Sequence, residues 1–131
     1  MAKTSKDLRS PLSRARGLGA AKDGVHHFWV LRVSALALIP LSLWFVFSVA
    51  CLASGPADFY AVQHWVSAPS VAVALVLFLA TALYHSVLGV EEVILDYSTG
   101  PARLTLLLAS KFLHAIVAAA GIFAVLKVAL G

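Results

Sequence analysis

Charge is scarce in this chain. Of its 131 residues, 12% are Asp, Glu, Lys or Arg, against roughly 25% in an average soluble domain. Together with 61% hydrophobic residues and a mean hydropathy of +0.93, the shortage excludes an ordinary water-soluble fold and indicates a membrane protein. Cysteine is almost absent. The single Cys51 sits in an apolar run, so the chain closes no internal disulfide and matches no metal-binding spacing. It has no cysteine set for an iron–sulfur cluster and no glycine fingerprint for a nucleotide. No stretch alternates apolar and polar residues, which excludes the strands of a membrane barrel.

What is present is three long apolar runs, about 30–52, 70–95 and 104–130. Each approaches or exceeds the ~20 residues needed to cross a bilayer. In lipid only helices and closed barrels satisfy every backbone group. The predicted fold is therefore all-α, an integral membrane protein with three transmembrane helices. Residues 1–25 read as a basic, flexible arm loosened by Gly17, Gly19 and Gly24, and residues 26–131 as the anchor domain. Pro40 falls inside the first span, where a kink is expected, and Gly55-Pro56 marks a turn in the first loop. Tyr60 and Trp65 read as interfacial anchors, and His64 beside Trp65 as a solvated loop histidine.

The N-terminus does not read as a secretory signal. Such a signal has a 7–15-residue apolar core and a nearby small-residue cleavage site, whereas the first apolar run here is full length and carries Trp44 and Phe45 at its middle. Residues 1–22 are basic, as in a mitochondrial transit peptide, but Asp7 and the short distance to the first span argue against one. Lys3, Lys6, Arg9, Arg14, Arg16 and Lys22 precede the first span and Arg32 stands at its mouth, while the loop from Ala53 to Pro69 has no Lys or Arg. Arg103 and Lys111 lie at and just beyond the second loop. The positive-inside rule then puts the N-terminus and the second loop in the cytoplasm. Lys127 opposes the trend weakly and can snorkel to the interface. The basic arm reads as a partner of anionic headgroups or of another subunit, not of nucleic acid.

The second span carries a polar stripe. With His85 at zero and about 100° per residue, Thr81 falls at about −40°, Gly89 at about +40°, Glu92 at about −20° and Asp96 at about +20°. Val76, Leu83, Val87 and Ile94 lie opposite. Hydrocarbon offers an imidazole no hydrogen-bonding partner, so an ionisable group at this depth marks a functional site by default. Three readings of His85 stand on chemistry alone: a histidine bonded to a neighbouring helix, an axial haem ligand and a proton relay. Gly89, one turn on, would let a flat group lie against the helix or a second helix approach closely. His114, three residues after Lys111 and four after Ser110, reads as a structural hydrogen bond. Glu91 reads as pointing to the interface, and Glu92 as hydrated or paired with a partner arginine.

Before the first span the chain reads Gly24-Val25-His26-His27-Phe28-Trp29-Val30-Leu31-Arg32, and the second ends on Asp96-Tyr97. A histidine six residues before an arginine, an intramembrane histidine with a glycine four residues later, and an Asp-Tyr pair eleven and twelve residues after that histidine together resemble the succinate dehydrogenase hydrophobic membrane anchor subunits, over about residues 24–130. His27 matches no position of that pattern. The resemblance implies one half of a heterodimeric haem-binding helix bundle. His85 would ligate the iron of haem b, with the opposite ligand on the cytochrome b556 subunit, and Gly89 would pack against the haem. His26 and Arg32 would lie by the propionates, since a guanidinium pairs bidentately with a carboxylate. Tyr97 would donate to a ubiquinone carbonyl, with Asp96 supporting that site. The partners implied are the cytochrome b556, iron–sulfur and flavoprotein subunits and membrane lipid. Not catalytic alone, the chain would help pass electrons to quinone within the complex. A fumarate reductase anchor and a cofactor-free structural or transporter subunit are the alternatives. The short N-terminal extension favours a bacterial inner membrane over a mitochondrial one.

Overall fold

The computed structural model describes residues 21–131, so most of the arm expected at residues 1–25 lies outside the described residues. Four helices follow in order: α1 (Ala21–Ala53), α2 (Phe59–Ser67), α3 (Pro69–Tyr97) and α4 (Gly100–Leu130). There is no strand among the described residues. The chain divides into a unit Met1–Val30 and a unit Leu31–Gly131. Within the described part of the first, Phe28 and Trp29 meet edge to face with ring centroids 6.3 Å apart. The architecture below is that of the second.

Stretches of 30, 29 and 31 residues in α1, α3 and α4 are long and apolar enough to cross a membrane. At 1.5 Å per residue such helices run about 45 Å, well beyond a hydrocarbon core of about 30 Å. Their ends therefore reach the headgroup zone. This is why each helix outruns its apolar run: hydropathy reads what suits hydrocarbon, whereas the backbone ladder continues through polar residues such as Asp96. α1 also continues through Pro40 to Ala53.

The first loop holds a helix that apolar length did not signal. Asp58 opens α2: its carboxylate accepts the Ala61 N–H at 2.8 Å, satisfying one of the orphan donors of the first turn. Ala68 ends it with extended backbone (φ −66°, ψ 123°), the conformation that a following proline imposes. Pro69 then begins α3, where its missing N–H costs no helical bond. At the other end of α3, Ser98 and Thr99 alone link it to α4. Gly100 makes this turn possible with φ +64°, a region that side chains with a Cβ disfavour.

α3 and α4 run antiparallel and share the most extensive contact of any two described helices. A Cβ placed on Gly121 would sit 3.4 Å from Leu79 Cδ1, an ordinary packing distance, so the end of the Leu79 side chain lies against α4 at this point. Ser67 of α2 shares its hydroxyl proton between the Gln63 carbonyl of its own helix, at 2.7 Å, and the Val128 carbonyl of α4, at 3.2 Å. α1 joins through side chains. Phe45 stacks on Phe78 of α3 at 4.8 Å, and Trp44 stacks on Trp65 of α2 at 6.4 Å. Ala72 and Leu75 are the buried apolar residues among those described, and Ser34 the buried polar one. Leu43, Phe47, Phe112 and Phe123 are exposed. In water that exposure would be costly; in a bilayer it is the solvated state.

Candidate functional site

His85 stands half-buried on α3 and faces α1. Its Nδ1 lies 2.9 Å from Ser34 Oγ, and the same Oγ is 3.0 Å from the carbonyl of Leu31, one turn back on α1. Beside the ring an open groove of about 400 Å³ runs along α1, lined by Ala35, Leu38, Ile39, Ser42 and Leu43 together with His85. Arg32 is exposed. It lies three residues before Ala35 and seven before Ile39, so it shares their side of α1, toward the helix start.

A Cβ on Gly89 would meet nothing within 4 Å among the described residues. Asp96 is exposed, and Tyr97 is 87% exposed at the last turn of α3. That turn is held from below by Arg103, whose Nε donates to the Ser98 carbonyl at 2.9 Å and whose Nη2 donates to the Leu95 carbonyl at 2.6 Å. A cation there satisfies carbonyls that the helix leaves over and complements the negative end of its dipole. His26 is exposed on α1, in the unit that ends at Val30. Among the described residues no group of three or more His, Cys, Asp or Glu could hold a metal ion.

A second polar cluster lies on the other side of α3. His114 donates from Nδ1 to the Ser110 carbonyl at 2.8 Å, and its Nε2 is 3.1 Å from Ser86 Oγ across the helix pair. Lys111 pairs with Glu91 at 3.0 Å. These groups border an apolar groove of about 500 Å³ that also takes in Tyr84, Ala118 and Ile122. His114 is thus the structural hydrogen bond expected of it. Glu91, expected to point toward the interface, reaches Lys111 on α4. Leu83 and Val87, opposite His85 on the wheel, line this groove, so α3 gives its apolar side to α4 and its polar stripe to α1 and the outside. Sequence reasoning missed Ser34, Ser86 and the capping role of Arg103. A serine inside an apolar run was the available signal for the first two.

The family described as succinate dehydrogenase/fumarate reductase transmembrane subunit matches residues 6–125. The chain is 33% identical over 120 residues to the succinate dehydrogenase hydrophobic membrane anchor subunit of Rickettsia bellii (strain RML369-C), covering 91% of this chain and 94% of that one. It is 31% identical over 122 residues to the protein of the same name from Paracoccus denitrificans, covering 93% of each. To that of Rickettsia conorii (strain ATCC VR-613 / Malish 7) it is 32% identical over 92 residues, 70% of this chain and 71% of that one. No solved structure matches it. With three membrane-length helices and likeness of this extent to bacterial membrane anchors, the chain belongs to the succinate dehydrogenase/fumarate reductase transmembrane subunit family.

Proposed function

We propose that this chain is the anchor of a succinate:ubiquinone oxidoreductase and that His85 is one axial ligand of a haem b shared with a cytochrome b556 partner subunit. The observation that carries the reading is the setting of His85. One ring nitrogen is engaged by Ser34, and the ring borders an open groove. A single imidazole donor beside apolar side chains suits a macrocycle that brings its own equatorial ligands. Haem so held would supply a one-electron store next to the quinone. Arg32, on the groove side of α1, is positioned in sequence to pair with a propionate, and His26 is the second candidate for that role. The bare helix surface at Gly89 leaves room for a flat group.

At the end of α3, Tyr97 donates its phenolic O–H to a ubiquinone carbonyl, and Asp96 supports that site or a proton route into it. Electrons reach the quinone from the flavoprotein through the iron–sulfur subunit, which docks on the same face. The N-terminus and the α3–α4 turn lie on the cytoplasmic side of a bacterial inner membrane. The charge asymmetry of the loops and the bacterial source of the relatives support this orientation and location.

The test is a reduced-minus-oxidised spectrum of the purified complex. A b-type band is expected, and it should disappear in His85→Ala. An intact complex without haem, or a His85→Ala complex with an undiminished band, would return the chain to a cofactor-free scaffold.

A further inference from the structure

We infer that Ser34 is a positioning residue that fixes the tautomer of His85 and turns its Nε2 lone pair outward. Ser34 Oγ is 3.0 Å from the Leu31 carbonyl oxygen and 2.9 Å from His85 Nδ1. A hydroxyl has one proton, and a carbonyl can only accept. If the Ser34 proton went to His85, two oxygens would face each other at 3.0 Å with no proton between them. With the proton on the Leu31 side, both contacts become hydrogen bonds, and the one to His85 must be donated by the ring. His85 then carries its proton on Nδ1, and a neutral imidazole so protonated has its lone pair on Nε2.

The surroundings make this choice matter. Ser34 is the one buried polar residue among those described, 7% exposed, and the groove beside it is lined mainly by aliphatic side chains. Those aliphatic side chains offer Nδ1 no substitute partner, and an unsatisfied N–H among them is costly. The bond also ties the ring to α1, a different helix from its own, which limits rotation about the Cβ–Cγ bond. As a ligand, an imidazole whose far N–H is bonded is oriented and made more basic. A more basic ligand favours the ferric state.

This deepens the haem reading and rests on it for the redox consequence, but the tautomer stands on the geometry alone. Redox titration and low-spin electron paramagnetic resonance of the whole complex would compare wild type, Ser34→Ala and Ser34→Thr. In Ser34→Ala the haem midpoint potential should rise, the low-spin signal should shift as the ring turns, and haem affinity should fall by about 10- to 100-fold, the usual effect of losing such a partner. Ser34→Thr, which keeps the hydroxyl, should return all three toward wild type. If Ser34→Ala fails to assemble, Ser34→Val against Ser34→Thr makes the same comparison at equal shape. An unchanged potential, signal and haem content in the hydroxyl-free variant overturns the inference. A wild-type complex without haem would sink the haem reading by itself. The ¹⁵N resonances of His85 in that complex would then decide the tautomer: a protonated Nδ1 that is lost with the hydroxyl upholds the inference, and a protonated Nε2 in the wild type rejects it.

Discussion

Lys111 on α4 donates to Glu91 on α3 at 3.0 Å, closing a link between residues twenty apart in the chain. The lysine is about half exposed and the glutamate largely covered. Polar pairs between membrane helices contribute modestly, because the separated helices also find partners. Glu91→Gln and Lys111→Met should each lower the thermal stability of the assembled complex, with a coupling of about 0.5–1.5 kcal/mol in a double-mutant cycle. The exchanged pair Glu91→Lys with Lys111→Glu should recover part of it. Strict additivity of the two single variants would mean the pair contributes nothing.

The two intramembrane histidines should separate cleanly by spectroscopy. Both nitrogens of His114 are engaged, by Ser110 and Ser86, so His114→Leu is expected to cost stability of about 1 kcal/mol and to leave the b-type band in place. His85→Ala is expected to abolish the band. Loss of the band in His114→Leu in a complex of normal stability would show that the ligand had been assigned to the wrong helix.

Arg103 and Tyr97 should share a kinetic signature. Removing the guanidinium in Arg103→Ala frees the carbonyls of Leu95 and Ser98 and should loosen the last turn of α3, by about 1–2 kcal/mol for charged hydrogen bonds of this kind. Tyr97 rides on that turn. Quinone reduction should therefore fall in both Arg103→Ala and Tyr97→Phe, while succinate oxidation with an artificial acceptor is retained. Parallel loss of both activities in Tyr97→Phe would speak against a direct quinone contact.

The α3–α4 approach predicts a graded response at Gly121. Its nearest neighbour is the end of the Leu79 side chain, at 3.4 Å from a built Cβ, and such an end can shift. Gly121→Ala should be nearly neutral. Gly121→Leu overpacks the contact and should cost about 1–3 kcal/mol, with partial recovery when combined with Leu79→Ala. Measured melting of the complex with no difference between the two substitutions would mean that this contact is not tight.

Much of the fold was legible because each helix carries its own signal. The three apolar runs yielded three membrane-length helices in the expected order, and the wheel around His85 separated the side of α3 that faces α4 from the side that does not. α2 escaped because it is nine residues long and lies outside the apolar runs; its cap, Asp58, is one acidic residue in a loop. Ser34 and Ser86 escaped for a different reason. A serine in an apolar helix is legible as unusual, but its partner is on another helix.

The sequence by itself determined how many helices cross the membrane, the polar angle of α3 and the imbalance of basic residues between loops. These properties follow from local composition and from the fixed 100° step of the helix. Tertiary structure alone decided that His85 meets Ser34 rather than Ser42, that Glu91 reaches Lys111, and that Arg103 caps its neighbour. A wheel gives angles about one axis, whereas these contacts depend on the rotation and depth of one helix against another. In lipid that registry is set by close packing and shared hydrogen bonds, not by the need to hide apolar surface from water.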